Sequence, residues 1–427
     1  MIAENTIENE IVVESCFKLI KAVEQEEKKS SEILHMTANE NIISQNVRRL
    51  IGSSLSSRYY SDTYDSENNP SKNCYTFGNA VYRGLPAVHA FEEEARVHAN
   101  RMFHAQFTDF IALSGLHAVL CMVSTITKPG DKIFIFSPTS IGHHATENLL
   151  KNLGRIPVEI PWDYENIQID LEKFSEVFHK ENPTAIFLDL GKSLYPLNVK
   201  AIREIVGSGI KIIYDASHVL GLIAGGLFQN PLEEGADILI GNTHKTFPGP
   251  QKAILLYADK EFGRKISLDL FSCAVSSQHT HHSLALYATI MEMAVHGKAY
   301  AQQIKINSEM FSMELLNMGF TLISRKNELP HSHMIAISGV FPENALEACR
   351  RLHMADISTN TQKIFGTDCV RIGVQEVTRR GMKEAEMQTI AHFFKRIIFD
   401  RDHTVKDEVR EFNSLYKKIF YTLDDLT

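Results

Sequence analysis

Apolar residues between about positions 107 and 257 occur in short runs that alternate with stretches of helical spacing. The runs, in chain order, are FIAL, KIFIFS, AIFLDL, KIIYDAS, DILIGN and AILLYA. Continuous apolar runs are typical of strands buried on both faces, and their alternation with helices is typical of a mostly parallel sheet. The pattern therefore predicts an α/β fold in this part of the chain.

The N-terminal segment has a different pattern. Residues about 9 to 29 carry apolar side chains at helical spacing, separated by many charged residues. Such spacing predicts an amphipathic helix, because one face of the helix is then apolar and the other polar. The apolar face could pack against its own subunit or against a partner.

The C-terminal part is predicted to form a second, smaller unit. A helical pattern starts after about residue 285, followed by predicted strands at 334 to 338 and 369 to 374 and predicted helices at 383 to 399 and about 405 to 420. A chain of 427 residues is too long for one ordinary core. We therefore expect an N-terminal helical segment (1–60), a large domain (61–290) and a small domain (291–427).

The charge balance argues against two classes of partner. The chain has 44 lysines and arginines against 52 aspartates and glutamates, which gives a formal net charge of -8. It therefore has no strongly basic character that would suit nucleic acid or an anionic membrane surface. We expect a small-molecule ligand instead.

Cysteine spacing and the N-terminal sequence indicate the compartment. The six cysteines are scattered without a CxxC motif, so neither a zinc site nor a disulfide framework is predicted. The chain starts with an acidic segment that lacks the basic and apolar regions of a secretory signal, and no run of about 18 apolar residues follows. We therefore expect a soluble, cytoplasmic protein.

The segment GADILIGNTHKTFPGPQK (235 to 252) carries the strongest chemical signal. A predicted buried strand ends there in a polar turn that presents Thr243, His244 and Lys245. A lysine in such a turn is either a solvated surface charge or an amine that bonds a carbonyl compound. The neighbouring segments decide between these two interpretations.

Two other predicted strands end in polar residues. Asp215 ends KIIYD, where it could cap a turn or hold a pyridine nitrogen in its protonated form. Ser114 and Gly115 follow FIAL at the start of a predicted helix, whose N–H groups could hold a phosphate. Because the carboxyl ends of parallel strands meet at one edge of the sheet, Lys245 and these residues are expected to converge there.

These motifs together resemble the serine hydroxymethyltransferase family of fold-type I enzymes, which use pyridoxal 5'-phosphate (PLP). The resemblance covers nearly the whole chain and rests on D-x-S-H (215 to 218), T-H-K-T (243 to 246), R-I-G (371 to 373), TANEN (37 to 41), RYY (58 to 60), YRG (82 to 84) and GHHATE (142 to 147). It implies an aspartate-aminotransferase-like fold with a mostly parallel sheet in the large domain and a smaller C-terminal α/β domain.

The resemblance also implies roles at the cofactor. Lys245 would bond the PLP aldehyde, and Asp215 would pair with the protonated pyridine nitrogen. His218 would lie near the phenolic oxygen, and His143 would stack on the ring. The residues implied to hold the phosphate are Ser114, Gly115, Leu116 and Thr243, with Tyr59 arriving from a second subunit.

The resemblance places Arg371 at the substrate carboxylate, which suits a bidentate guanidinium. Arg371 lies within an apolar run, where an unpaired charge would be costly to bury, so a carboxylate partner is expected. Asn39, Tyr59 and Tyr82 would also bind substrate. Since Tyr59 would serve a neighbouring site, the resemblance implies a homodimer with shared active sites and with the N-terminal helix at its interface.

The chain departs from the family at one catalytic position. Hydroxymethyltransferases have a glutamate two residues after the first tyrosine, but here Ser61 occupies that position and Asp62 is one residue out of place. A serine hydroxyl is not a general base near neutral pH without an activator. The phosphate motif also reads SGL at Leu116, and the stretch from 61 to 81 is longer and more polar than the family's folate-pocket link.

The segments GNTHKTFPGPQK and VRIGVQEVTRRGMKE are more similar to the L-threonine transaldolases of bacterial natural-product pathways. That similarity implies transfer of a glycyl unit from L-threonine to an aldehyde, giving a β-hydroxy-α-amino acid and acetaldehyde without folate. His143 is the expected proton acceptor, since imidazole titrates near neutral pH, and Tyr82 is the second candidate. The alternatives are a serine or α-methylserine hydroxymethyltransferase, a threonine aldolase, and a PLP-binding protein without turnover.

A histidine cluster raises the question of a metal. His279, His281 and His282 lie close together in the sequence, but no carboxylate or cysteine joins them locally. We therefore predict no metal, and the resemblance places His282 at the rim of the active site.

Overall fold

The computed structural model describes residues 2–60, 74–77, 80–339, 341 and 344–426. Its helices are α1 Ile2–Glu32, α2 Gln45–Ile51, α3 Pro86–Phe103, α4 Gly115–Ile126, α5 Thr146–Asn152, α6 Leu171–Glu181, α7 Val199–Val206, α8 Leu220–Ala224, α9 Lys260–Cys273, α10 Thr280–Asn317, α11 Ala345–Met354, α12 Gln375–Arg379, α13 Glu384–Ile398 and α14 Val405–Ser414. Its strands are β1 Leu34–His35, β2 Cys74–Phe77, β3 Ala80–Arg83, β4 Phe107–Asp109, β5 Lys132–Ile135, β6 Ile156–Glu159, β7 Trp162–Asp163, β8 Gln168–Ile169, β9 Ala185–Leu188, β10 Lys211–Asp215, β11 Ile238–Asn242, β12 Ala253–Tyr257, β13 Thr321–Leu322, β14 Met334–Ser338, β15 Ile357–Ser358, β16 Asn360–Ile364 and β17 Thr367–Gly373.

A seven-stranded sheet forms the centre of the molecule, in the order β4-β12-β11-β10-β9-β5-β6. The pairs from β11 to β6 are parallel, and β12 is antiparallel to both β11 and β4. Every residue of β9 and β12 is buried, as expected where helices cover both faces. The predicted α/β fold with a mostly parallel sheet is confirmed.

One of the predicted strands is displaced. The run FIAL (110 to 113) is not a strand, and β4 lies directly before it at Phe107–Asp109. The carboxylate of Asp109 accepts a hydrogen bond from the Ile111 N–H at 2.9 Å, which turns the chain out of the ladder. FIAL is therefore the buried connection that leads into α4.

The C-terminal part contains a four-stranded antiparallel sheet in the order β13-β14-β17-β16. Strand β14 coincides with the run MIAIS, and β17 covers most of CVRIGV. Helices α11 and α13 pack with each other and α11 covers β17. Helix α14 ends at Ser414 and is therefore shorter than predicted.

Helix α10 connects the two sheets. It runs without interruption for 38 residues and contacts α2, α3 and α8 on one side and α13 and β13 on the other. The expected domain boundary at 290/291 falls inside this helix. The division of the chain at that position therefore stays a prediction.

Helix α1 spans Ile2–Glu32, beyond both ends of the predicted helix. Apolar side chains on it, among them Val12, Phe17 and Leu19, are more than half exposed in the single chain. An exposed apolar surface of this kind is typical of a protein interaction site. No helix in the described part of the chain has the length and apolar character needed to cross a membrane.

A buried ion pair ties α10 to the C-terminal part of the chain. The Arg379 guanidinium donates to Glu292 at 2.9 Å, and the two side chains are 0% and 2% exposed. Arg379 also donates to the carbonyl oxygens of Ile42 and Tyr421. One side chain therefore fixes four segments that are distant in sequence.

We predict that Glu292→Gln lowers the free energy of unfolding by about 3 to 5 kcal/mol, because the buried Arg379 charge loses its counter-ion. The control is Glu408→Gln, which removes a pair with Arg396 whose side chains are 32% and 48% exposed, and for which about 0 to 1 kcal/mol is expected. Urea unfolding followed by circular dichroism measures both. Equal effects in the two variants would contradict the assignment.

Candidate active site

A cavity of about 290 Å³ lies at the carboxyl ends of the parallel strands. Its wall combines the ends of β9, β10 and β11, the start of α4 and the loop before α5. The predicted site residues that line it are Ser114, Gly115, Leu116, His143, Asp215, His218 and Lys245. Seven residues spread over 132 positions of sequence are therefore brought to one place.

Lys245 follows β11 in a tight turn. The Asn41 side-chain amide donates to the Lys245 carbonyl oxygen at 2.6 Å, and the Lys245 amine lies 3.3 Å from His218 Nε2. Burial lowers the pKa of the Lys245 amine to about 8, with the Arg371 charge acting in the same direction and Asp215 opposing both. A larger fraction of the amine is therefore neutral and nucleophilic near neutral pH than in an exposed lysine.

The turn that carries Lys245 packs directly on Gly221 of α8. A Cβ atom added at Gly221 would lie 2.2 Å from the Thr246 carbonyl oxygen. The Gly221 N–H also donates to Thr246 Oγ1 at 3.0 Å. Glycine is thus required at this position for the lysine turn to approach the helix.

Asp215 ends β10, the strand next to β11, and its register partner is Ile240. One oxygen of its carboxylate accepts from the Ser217 N–H at 2.8 Å, and the residue lines the cavity. The structure therefore brings the predicted carboxylate and the predicted lysine into the same small space. A pyridinium nitrogen is a chemically suitable partner for such a carboxylate.

His218 is buried in the cavity wall. Burial and the nearby Lys245 charge lower its pKa well below the usual value, so the ring is neutral. Its Nδ1 atom has no hydrogen-bond partner among the residues that the structure describes. A buried polar atom of this kind needs a partner, and the phenolic oxygen of PLP is one that would satisfy it.

The N-terminus of α4 forms another part of the wall. The Ser114 hydroxyl caps the helix by accepting from the His117 N–H, and the Gly115 N–H donates to the Asn242 side-chain oxygen at 2.8 Å. A Cβ atom at Gly115 would lie 2.4 Å from Asn242 Nδ2, so only glycine allows this approach. Helix N–H groups with a hydroxyl beside them suit a phosphate.

Thr243 differs from the other predicted phosphate ligands. It is fully buried, and its hydroxyl donates to the Pro250 carbonyl oxygen at 2.7 Å. The preceding residue, Asn242, faces the cavity in its place. A phosphate contact by Thr243 stays a prediction, and Asn242 is the residue in the cavity wall.

His143 lies on the loop before α5 and lines the cavity. Its N–H donates to Asp189 at 3.2 Å, and its ring is 4.4 Å from the ring of His144. Burial lowers the pKa of His143, while the Asp215 charge acts in the opposite direction. The imidazole is therefore neutral near neutral pH, and its Nδ1 atom accepts from the Ala145 N–H at 3.3 Å. Its stacking on the cofactor stays a prediction.

Arg371 lies beside the cavity on β17. Its guanidinium donates to the side-chain oxygens of Asn360 and Asn39, each at 2.9 Å. It is 4% exposed, and no carboxylate within the described ranges lies at ion-pair distance. Burial lowers its pKa to about 10, so the charge persists. The predicted substrate ligand Asn39 therefore lies beside Arg371. A bound substrate carboxylate would neutralise the positive charge of Arg371.

The two tyrosines do not line the cavity of their own chain. Tyr59 is 58% exposed and Tyr82 is 37% exposed, and their ring centroids lie 6.0 Å apart. The contribution of Tyr59 to a second subunit's site and the role of Tyr82 stay predictions. Ser61 and Asp62, with most of the 61 to 81 stretch, lie outside the described residues.

The histidine cluster lies at a second cavity. His282 lines a space of about 430 Å³ together with His244 and Asn41. The rings of His279, His281 and His282 are 4.3 to 6.2 Å apart. No group of three histidine, cysteine, aspartate or glutamate residues suited to a metal ion occurs in the part of the chain that the structure describes.

Some residues near the cavity are not evident from the sequence. His333 stacks on His218 with centroids 6.0 Å apart and contacts the Ala38 carbonyl oxygen through Nε2 at 2.9 Å. Asp189 and Lys192 follow β9 beside the loop of His143. A signal was available for these two, because polar residues follow the apolar run AIFL as Asp215 follows KIIY.

The fold, the buried lysine, the facing carboxylate and the helix start at Ser114 and Gly115 define a fold-type I transferase that uses PLP. A solved structure agrees closely: the L-threonine transaldolase from Pseudomonas fluorescens, in its internal aldimine state, matches with a TM-score of 0.90 and 26% identity over 98% of this chain and 96% of that chain. Residues 12–394 match the family described as serine hydroxymethyltransferase. The chain belongs to this family.

Individual relatives have two different names. A fluorothreonine transaldolase from Streptantibioticus cattleyicolor is 34% identical over 406 residues, which are 94% of this chain, and the chain spans 63% of that relative's length. A serine hydroxymethyltransferase from Methanosphaera stadtmanae is also 34% identical, over 92% of each chain. Another from Pyrococcus furiosus is 33% identical over 95% and 96%. Sequence identity therefore does not separate the two reactions.

The lowered pKa of Lys245 leads to a pH prediction. A group with a pKa near 8 loses its proton at lower pH than an ordinary lysine at about 10.4, and only the neutral amine bonds an aldehyde. When cofactor-free protein is mixed with PLP, the rate at which the yellow absorbance develops should rise with pH and level off above about 8. Rapid-mixing absorbance measurements test this.

Two variants serve as controls for this measurement. Lys245→Ala should not develop the absorbance. In Arg371→Gln the midpoint should move to higher pH, because a charge that lowers the pKa of Lys245 is removed. A rate that keeps rising to about pH 10 in the parent protein would be inconsistent with a perturbed lysine.

Proposed function

We propose that the protein is an L-threonine transaldolase, which transfers a glycyl unit from L-threonine to a second aldehyde and releases acetaldehyde. The observation that carries the proposal is the set of proton acceptors in the cavity wall. Among the described residues there, Asp215 is the one carboxylate and His143 is a neutral imidazole. The sequence has Ser61 where hydroxymethyltransferases have a catalytic glutamate.

Different residues of the cavity wall would hold different parts of the cofactor. PLP supplies an aldehyde that bonds amines and a ring that accepts electrons from the substrate Cα. Lys245 provides the amine that bonds the aldehyde, and Asp215 keeps the pyridine nitrogen protonated. His218 would offer Nδ1 to the phenolic oxygen, and the start of α4 would hold the phosphate.

Arg371 selects the bond that breaks. A bidentate guanidinium fixes the plane of the threonine carboxylate and so the rotation about Cα. Asn39 and Asn360 hold the guanidinium on two sides, so its position is defined before substrate arrives. Preorganised contacts of this kind define which Cα substituent is oriented for cleavage.

His143 moves the proton. As the Cα–Cβ bond breaks, the imidazole accepts the proton of the threonine hydroxyl, and the hydroxyl carbon leaves as acetaldehyde. The glycyl carbon then attacks the carbonyl carbon of the second aldehyde. His143 returns the proton to the new alkoxide, which becomes the β-hydroxyl group of the product.

The comparisons support this proposal without deciding between reactions. One 34% identical relative and the solved structure are named transaldolases, whereas other relatives of equal identity are named serine hydroxymethyltransferases. Hydroxymethyl transfer from serine is therefore the second candidate. We also propose that the enzyme is a homodimer, which the exposed apolar residues of α1 support. A role in natural-product biosynthesis and a cytoplasmic location remain predictions.

We predict that the purified enzyme releases acetaldehyde from L-threonine faster in the presence of a second aldehyde, with formation of a new amino acid. Incubation with a panel of aldehydes and identification of products by mass spectrometry tests this. Lys245→Ala is the inactive control. Equal acetaldehyde release without a second aldehyde would indicate an aldolase. Folate-dependent turnover of serine would instead indicate a serine hydroxymethyltransferase.

We predict that His143→Asn lowers the rate of threonine cleavage by about 100- to 10,000-fold, because a well-placed general base is lost. The yellow absorbance of the bound cofactor should persist, since Lys245 and Asp215 are intact. His144→Asn is the matched control, because its ring lies 4.4 Å from that of His143, and it should cleave threonine within about tenfold of the parent. Near-parent activity in His143→Asn would show that another residue accepts the proton, and Tyr82 would be tested next.

A further inference from the structure

The loop that carries His143 is held by the turn that follows β9. The Gly191 N–H donates to the Ile141 carbonyl oxygen at 2.9 Å, and Gly142 forms a bridge with Leu190. A Cβ atom at Gly142 would lie 2.4 Å from the Phe136 carbonyl oxygen, so the loop is closely packed. Asp189 accepts from the N–H groups of Phe136 and His143, at 3.1 and 3.2 Å.

Lys192, in the same turn, holds the carbonyl groups of this loop. Its amine lies 3.3, 2.9 and 3.4 Å from the carbonyl oxygens of Pro138, Ser140 and Gly142. An ammonium group has three N–H donors, so each donor has one of these carbonyls as an acceptor. Lys192 is 7% exposed, and no carboxylate in the described ranges lies at ion-pair distance.

The chemistry of these contacts is unusual for a lysine. A buried ammonium group without a counter-ion is costly, and three carbonyl dipoles are the groups that stabilise it here. Asp189 accepts from two N–H groups of the loop while Lys192 donates to its carbonyl groups, so the two side chains hold one backbone segment through opposite kinds of hydrogen bond. Neither side chain lines the cavity.

We propose that Lys192 is a positioning residue for His143: its ammonium group binds the 138, 140 and 142 carbonyls and so fixes the imidazole over the reacting atoms. The chemical consequence rests on the proposed function, in which His143 moves the proton. The contacts that hold the loop do not depend on it. Lys192 therefore acts through the loop and touches neither substrate nor cofactor.

The charge of Lys192 also acts on His143. The charged and titratable groups that face this imidazole are Asp215, His144, Lys245, Lys192 and His218, and Asp189 accepts from the His143 N–H. Of these, Lys192 is a positive charge that disfavours the imidazolium form and so lowers the pKa of His143. Removing it should raise that pKa, and the acid limb of the rate profile, where His143 becomes protonated, should move to higher pH.

The test compares Lys192→Met with the parent holoenzyme. Hydrogen–deuterium exchange followed by mass spectrometry should show amides within 137 to 143 exchanging about tenfold faster, because the contacts that hold the loop are lost. With threonine, kcat should fall about 10- to 100-fold through misplacement of the base, with KM within about twofold because Arg371 is unchanged. The acid limb of kcat should move to higher pH.

Lys252→Met is the matched control, since Lys252 is also buried and donates to one carbonyl, that of Gln278, at 2.8 Å. It should leave exchange of 137 to 143 and the acid limb unchanged. If Lys192→Met does not fold, Lys192→Gln replaces it, because glutamine removes the charge but keeps a polar side chain.

Unchanged exchange in 137 to 143, or a kcat that stays at the parent value while exchange rises, would overturn the proposal. The exchange measurement needs no substrate. A parent enzyme that does not cleave threonine would therefore defeat the proposed function alone, and exchange would still decide whether Lys192 holds the loop.

Discussion

The hydrogen-bond ladder between β10 and its two neighbours is the constraint on which the site depends. Tyr214 is in register with Leu188 of β9 and with Leu239 of β11, so the three strands end at the same edge of the sheet. Polar residues placed just after each strand must then meet. A slip of one residue in this register would reverse the direction of each side chain and separate the lysine from its carboxylate.

Ionisable groups around the cavity are held by neutral atoms. Arg371 is bound by two asparagine side chains, Lys192 by backbone carbonyls, and Asp189 by backbone N–H groups. Burial raises the pKa of the Asp189 carboxyl to about 8, so this group is largely protonated near neutral pH. Burial also lowers the pKa of the Lys192 amine to about 8, and the Arg371 charge acts in the same direction. These groups keep their partners as protons move during a reaction, because backbone dipoles do not titrate. Such an arrangement is preorganised in the sense that catalysis requires.

The sequence predicts those parts of the structure whose signal is local. An apolar run followed by polar residues indicates the parallel strands and, at their ends, Lys245, Asp215, His218 and the start of α4. The family motifs add Arg371 and Asn39. Signals that depend on side-chain direction are weaker. Thr243 and Asn242 are adjacent in the sequence, and only the structure shows which of them faces the cavity.

Contacts between distant segments cannot be predicted from local sequence patterns. The stacking of His333 on His218 joins residues 115 positions apart, one after β10 and the other just before β14. The run FIAL was assigned as a strand because its composition is apolar, whereas the Asp109 carboxylate ends the ladder before it. Apolar composition indicates burial, and hydrogen-bond partners decide whether a buried segment is a strand.

Helix α10 gives the molecule a rigid axis. At 1.5 Å per residue its 38 residues extend for about 57 Å, roughly twice the diameter of a small domain. It contacts helix α8 on the large sheet's side and strand β13 of the C-terminal sheet. Helices α12 and α13 pack along this helix, and Arg379 pairs with Glu292 on it. Any movement of the C-terminal sheet relative to the lysine would therefore have to change contacts made along the helix.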